Sequence, residues 1–363
     1  MLASDLDFHL PEHLIAQTPT EPRDAARLLH FRAQDGEIAH YLVRDLPQLL
    51  RADDLLVFND TRVLRARLHG FKPSGGRVEA LLLKELRRNC WEALLKPSAR
   101  LQIGSQVEFV APNDEFRITA QLLARSDEAW HLEFLPPDGT DIRDLLPVFG
   151  EVPLPPYIRQ SADESRYQTT FSRSKTEGNP LDSAAAPTAG LHFTPELLES
   201  LAQKGIDSAF VTLAVGAGTF RPVKTVTVEE HRMHFEEFWI SPLAAQKINA
   251  QKSRGGRVVA VGTTTVRTLE SVADENGFVQ AGEAKTDIFI RPGRHFRCID
   301  ALMTNFHLPR STLLALVSAL VEQKMRNGEN GSKSGLAAMH NAYAEAIKND
   351  YRFFSFGDAM LIE

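Results

Sequence analysis

Five short segments of this 363-residue chain put hydroxyls, amides or imidazoles where an apolar run gives way to a turn or helix. Asn59-Asp60-Thr61-Arg62 follows the apolar run 55–59, and its side chains bond readily either to a ligand or to the local backbone. In Ala186-Pro-Thr-Ala-Gly-Leu-His-Phe-Thr194, Pro187 and Gly190 shape a tight loop that presents Thr188 and His192. In Val215-Gly-Ala-Gly-Thr-Phe-Arg-Pro222, Gly216 and Gly218 let backbone amides approach an anion, and Arg221 is suited to clamp a carboxylate or phosphate. It is no dinucleotide fingerprint, because Arg221 occupies the third glycine position. Val261-Gly-Thr-Thr-Thr-Val-Arg267 sets three hydroxyls and free amides at a helix start, where capping alone needs one. Thr304-Asn-Phe-His-Leu-Pro-Arg-Ser311 repeats the strand-end pattern around His307.

His231-Arg-Met-His234-Phe-Glu236 offers two imidazoles that a helix would place on one face, with a carboxylate behind them. The order is not the His-Glu-x-x-His of zinc proteases, which leaves a metal site, a surface pair and acid–base or RNA contact all open.

These segments need a frame. LLVFN (55–59) reads as a buried strand. Runs at 64–71, 76–86, 90–97, 106–111, 115–124 and 128–135 alternate or are rich in strand formers, and turn signals divide them, which predicts a small antiparallel barrel. A short helix (140–150) and the stiff exit Val152-Pro-Leu-Pro-Pro-Tyr157 follow. Beyond residue 185 strands (208–215, 257–261, 286–290, 301–306) alternate with helices starting at Thr194-Pro195, at Ser241-Pro242, near Thr265 and at Ser311. The fold class expected is α/β: a discontinuous sheet domain with packed helices, residues 1–63 and 152–363, and an inserted barrel, residues 64–151. Polar stretches at 172–183 and 326–335 read as surface loops.

The opening residues lack the basic start and apolar run of a signal peptide. No apolar helix approaches the ~20 residues of a membrane span, and two cysteines make neither a disulfide framework nor a zinc quartet. The expectation is a cytoplasmic protein that needs no metal. The net charge of −6 hides an asymmetry, with ten basic and three acidic residues between Arg62 and Arg100. Phosphate backbones are bound by local basic surfaces, so this stretch outweighs the overall sign.

Taken together, the motifs resemble the S-adenosylmethionine:tRNA ribosyltransferase-isomerase family of queuosine biosynthesis. The resemblance runs nearly end to end and in order, through LIAQTP (14–19), VFNDTRV (57–63), PLPPYI (153–158), RYQT (166–169), APTAGLHF (186–193), VGAGTFRPV (215–223), VGTTTVRTLES (261–271), IFIRPG (288–293), TNFHLPRSTLL (304–314) and YRFFSFGDAMLI (351–362). It implies a discontinuous α/β domain with an inserted barrel. It also implies transfer of the ribosyl part of S-adenosylmethionine, a co-substrate, to 7-aminomethyl-7-deazaguanine at the tRNA wobble position. Epoxyqueuosine, adenine and methionine result, and the enzyme is expected to act as a monomer.

Such chemistry needs a base for the proton beside the sulfonium, an acid for departing adenine, and deprotonation of the attacking ammonium. The candidates are His192, His231, His234, Glu236, Asp300, His307 and Asp358, with roles unassigned. Thr188, Gly190, Gly216, Gly218, Thr219, Arg221, Thr263, Thr264 and Arg267 are expected to hold the co-substrate. Asn59, Asp60, Thr61, Arg62, Arg67 and Arg77 are expected to meet the tRNA. Ala214 stands where the family has a histidine, Arg65 replaces a proline, and the loops 172–183 and 322–338 are longer than usual. Ala214 keeps open a catalytically impaired tRNA-binding homologue, and His231, His234 and His307 keep open a metal-dependent hydrolase.

Overall fold

The computed structural model describes residues 1–112, 115–126, 129–159, 163–174, 181–216, 223, 225–326 and 334–363. They form two compact units: Met1–Thr61 with Pro155–Leu181 and Pro187–Glu363, and Arg62–Leu154 with Asp182–Ala186.

In the second unit, strands Arg67–Phe71, Arg77–Arg87, Cys90–Lys96, Trp130–Leu135, Arg117–Arg125 and Gln106–Val110 pair antiparallel in that spatial order. Phe71 faces Arg77 on one side and Glu108 on the other, so the six close into a barrel. A period of two turns alternate side chains inward, and Leu68, Val78, Leu82, Trp91, Phe109, Leu132 and Phe134 fill the interior. Closure demands a glycine at one point. A Cβ on Gly70 would lie 2.3 Å from the Glu108 carbonyl oxygen. Asp141 caps the helix Ile142–Phe149 by accepting from Arg143 N at 2.9 Å, and the helix buries Ile142, Leu146 and Phe149 against the barrel core.

The first unit holds a nine-stranded mixed sheet among the described residues. Its order is Gly282–Thr286, Glu236–Ile240, Asp207–Leu213, Leu55–Asn59, Val258–Val261, Ala301–Asn305, Ala359–Ile362, Arg27–Arg32, Glu37–Leu42. The strands from Asp207–Leu213 through Ala301–Asn305 run parallel, so Leu213, Asn59, Val261 and Asn305 end at one edge. Every residue of Leu55–Asn59, Val258–Val261, Ala301–Asn305 and Ala359–Ile362 is buried, as central strands covered on both faces require. Helices Pro195–Gln203 and Pro242–Ser253 begin as the sequence predicts, with Thr194 and Ser241 hydroxyls each accepting a backbone N–H at 3.1 Å.

Several elements depart from expectation. The strand expected at 286–290 is instead Gly282–Thr286, an exposed sheet edge paired with Glu236–Ile240. Backbone pairing on one side asks for no apolar side chains, so the apolar run was not its signal. The helix expected near Thr265 starts at Thr263, because Gly262 (φ 88°) turns the chain directly out of the strand. The hairpin Arg27–Arg32/Glu37–Leu42, the strands Glu236–Ile240 and Ala359–Ile362 and the helix Gly335–Lys348 are additions to the sequence reading. Residues 175–180 and 327–333, the middles of the two long loops, lie outside the described residues.

Candidate active site at the carboxyl edge of the sheet

Asn59 closes its strand with four hydrogen bonds. Its Oδ1 accepts from Leu213 N and Thr61 N, each at 3.1 Å, while Nδ2 donates to Leu213 O at 3.1 Å and to Thr264 Oγ1 at 3.2 Å. Two backbone donors decide which amide atom is the oxygen. The Thr264 hydroxyl must therefore accept from Asn59, and its own proton is left to donate elsewhere. Asn59 ties two strand ends to a helix start, and its bonding capacity is spent. The expected contact with a tRNA base has no group left to make it. Asp60 is likewise engaged, by Thr212 Oγ1 at 2.6 Å and Arg173 Nε at 2.7 Å. Burial raises its carboxyl, and these bonds act against the rise. Thr61 is fully buried, with an Oγ1 that finds no partner among the described residues.

No side chain caps the helix Thr263–Val272. Its first-turn amides face the carboxyl edge, where the positive end of the helix dipole favours an anion. Thr265 Oγ1 donates back to Val261 O at 2.8 Å, which is ordinary local bonding. Four residues on from Thr263, Arg267 is 4% exposed and paired through Nη1 with Glu236, 5% exposed. The other Glu236 oxygen accepts from Gly216 N at 3.3 Å. Burial lowers Arg267 to about 10, so it stays charged at neutral pH. Its Nε and Nη2 have no hydrogen-bond partner among the described residues. Leaving buried charged donors unmet costs on the order of 1–3 kcal/mol or more, and an acceptor brought by a ligand would remove that cost.

Two of the expected acid–base histidines are locked neutral. Asn305 Nδ2 donates to Phe354 O at 3.1 Å and lies 3.2 Å from His192 Nε2, which makes that nitrogen an acceptor. Burial, then the charges of Arg352 and Arg23, depress His192 to about 4. Tyr343 Oη accepts from His307 N at 3.0 Å and is hydrogen-bonded to His307 Nδ1 at 3.2 Å, while His307 Nε2 is hydrogen-bonded to Thr304 Oγ1 at 3.2 Å. Burial depresses His307 to about 3. Asp358 is also occupied, accepting from Arg27 N at 3.0 Å and Arg352 N at 2.8 Å. Burial raises it against those bonds.

Asp300, expected among the acid–base groups, lies away from this edge. It precedes Ala301–Asn305 and accepts from Val258 N at 2.9 Å, at the amino end of the strands. Five residues at ~3.3 Å put it roughly 16 Å from the carboxyl edge. His231 and His234 lie in the segment leading into Glu236, with His231 edge-on to Phe289 and lowered by burial and by His234. Among the described residues no three His, Cys, Asp or Glu side chains gather as a metal site would require, and His307 is spent on Tyr343 and Thr304. The hydrolase reading therefore has no geometric support. Gly190 serves packing, since a Cβ there would lie 2.9 Å from Phe171 and Thr169. Thr188 starts the same short turn, Thr188–His192. Gly218, Thr219 and Arg221 lie outside the described residues.

Arg62, Arg67 and Arg77 belong to the second unit. Arg67 donates to Leu154 O at 3.2 Å and stands 3.7 Å from Glu79, whereas Arg77 is exposed. The sequence reading missed Asn305, whose buried Oδ1 has no partner among the described residues. Its signal was present: both LLVFN and ALMTN are buried strands that end in asparagine.

Residues 3–362 match the family described as Queuosine biosynthesis protein. The chain belongs to that family. S-adenosylmethionine:tRNA ribosyltransferase-isomerases from Symbiobacterium thermophilum and Geotalea uraniireducens are 48% and 46% identical, and both chains are fully covered in each case. A crystal structure of S-adenosylmethionine tRNA ribosyltransferase from Thermotoga maritima matches 99% of this chain and all of its own, with 35% identity and a TM-score of 0.53. This queuosine-family member thus shares its mixed sheet and barrel with a solved relative. Among its described residues, no helix is long and apolar enough to cross a membrane.

Proposed function

We propose that this protein is an S-adenosylmethionine:tRNA ribosyltransferase-isomerase of queuosine biosynthesis. The observation that carries the reading is identity of 45–48% with enzymes of that name along the whole chain. S-adenosylmethionine is the ribosyl donor. The acceptor is 7-aminomethyl-7-deazaguanine at the wobble position, in a cytoplasmic enzyme acting as a monomer.

The sheet edge supports the chemistry in outline. The methionine carboxylate is the natural anion for the uncapped helix Thr263–Val272, with the free proton of Thr264 adding a charge-assisted hydrogen bond. The unmet Nε–H and Nη2–H donors of Arg267 suit a second acceptor on the same substrate. With His192 and His307 held neutral and bonded, and Glu236 engaged by Arg267 and Gly216 N, the proton-transfer work falls to His231 and His234. Relatives that bear the enzyme's name over their full length do not favour the impaired-homologue reading drawn from Ala214. Incubation of the purified protein with S-adenosylmethionine and tRNA carrying the deazaguanine precursor tests the proposal. Release of adenine, one per modified tRNA, is expected. Its absence with folded protein would refute the reading.

A further inference from the structure

One end of the barrel carries a groove of about 490 Å3, to which His69, Phe71, Arg77, Lys96, Pro97 and Arg117 contribute. Its lining is net basic, with Arg77, Lys96 and Arg117 against Glu79, which lies opposite Lys96 in the strand pair. Glu79 stands by Arg67 and Glu108 accepts from Arg117, whereas Arg77 and Lys96 are exposed and make no ion pair among the described residues. Its apolar content is of a particular kind. The Phe71 ring is 37% exposed, and Val78 and Ala111 beside it are buried. Open cations flanking an exposed aromatic face over an apolar floor are what single-stranded nucleic acid uses, phosphates on the cations and a base on the ring. A protein partner of ordinary surface would leave Arg77 and Lys96 without a counter-charge.

We infer that this groove binds an unpaired segment of the tRNA substrate, with Arg77 and Lys96 on successive phosphates and Phe71 under a base. The inference rests on the transferase reading for the identity of the RNA. It adds Lys96 and Phe71 to the arginines that the sequence analysis named for tRNA, and it separates Arg77, in the groove, from Arg67, which is turned to Leu154 O.

The test is tRNA binding by fluorescence anisotropy across a salt series, on the full chain and on Arg77→Glu/Lys96→Glu. The double variant is expected to bind at least about ten-fold more weakly. The slope of log affinity against log salt should be shallower by about 1.4, two contacts at ~0.7 each. Wild-type affinity and slope in a variant with an unchanged melting temperature overturn the groove, leave the transferase reading standing, and point to a protein as the occupant. Wild-type protein that binds tRNA through these residues yet releases no adenine overturns the transferase reading and keeps the groove. Should the double variant melt early, cross-linking of 4-thiouridine-substituted tRNA to wild-type protein decides. Adducts on residues 69–77 support the groove, and adducts confined to other peptides overturn it.

Discussion

Thr264 carries the sharpest test of the co-substrate site. Its hydroxyl accepts from Asn59 Nδ2 at 3.2 Å, an orientation fixed by the two backbone donors on Asn59 Oδ1, so its proton points away from Asn59. Given to a carboxylate, that proton is worth ~1.5–3 kcal/mol, or about a 10- to 150-fold change in affinity. Thr264→Ala should therefore raise both Kd and KM for S-adenosylmethionine by that factor. The variant also strips one acceptor from the Asn59 amide, which keeps Leu213 O at 3.1 Å, so about 1 kcal/mol of fold stability should go as well. Thr264→Ser restores the hydroxyl and should recover most of both losses. Calorimetric titration with S-adenosylmethionine, alongside thermal melts and steady-state kinetics, separates the two effects. If Thr264→Ala lowers the melting temperature while Kd and KM stay at wild-type values, the hydroxyl is structural and the helix start is not the carboxylate site.

Other outcomes follow from the buried charges. Arg267→Lys keeps a cation beside Glu236 but loses the unmet Nε–H and Nη2–H donors; weaker S-adenosylmethionine binding with nearly normal urea stability is expected. Arg267→Met takes the counter-charge of Arg267 away from the buried Glu236 carboxylate, and urea unfolding should show a loss of about 3–5 kcal/mol; equal stability of the two variants would refute the pair's importance. His192 and His307 are held near 4 and 3, below the 6.5 of an exposed imidazole, so the unfolded chain takes up protons first as pH falls. Their contribution is complete above about pH 6.5 and declines through pH 4, with a joint slope of at most ~3 kcal/mol per pH unit. Urea midpoints that stay flat between pH 7 and 5 would contradict this.

The sequence showed the barrel because alternating burial leaves a trace in each strand separately, from Leu68 and Gly70 to Leu132 and Phe134. It showed the central strands because LLVFN and ALMTN are short, mostly apolar runs, and every residue in them is buried. The polar edge Gly282–Thr286 left no such trace, since its stability lies in backbone pairing with Glu236–Ile240. At the site, strand-end position was legible and hydrogen-bond saturation was not. Asn59, His192, His307 and Asp358 look reactive as residue types, but their partners come from segments far away in the chain, such as Leu213, Asn305, Tyr343 and Arg27. Asp300 was misplaced for a simpler reason, that it starts a strand rather than ending one.

The sheet order also bears on how the molecule is assembled in time. Four of the six barrel pairings join strands adjacent in sequence, and the other two close within the same stretch of residues 67–135, so that unit can form early from comparatively local pairings. The hairpin Arg27–Arg32/Glu37–Leu42 is different, because it joins the sheet through Ala359–Ile362, with Leu28 against Ala359 and Phe31 against Ile362. A hairpin by itself is marginal in water. It must wait, with Leu28, Leu29 and Phe31 uncovered, until the most distant strand arrives, and closing so long a loop is slow. The slowest folding phase should therefore be the docking of this hairpin, and pulse-labelled amides of residues 27–42 and 359–362 should gain protection together and last. Until then its exposed apolar edge is the part of the folding chain most open to aggregation.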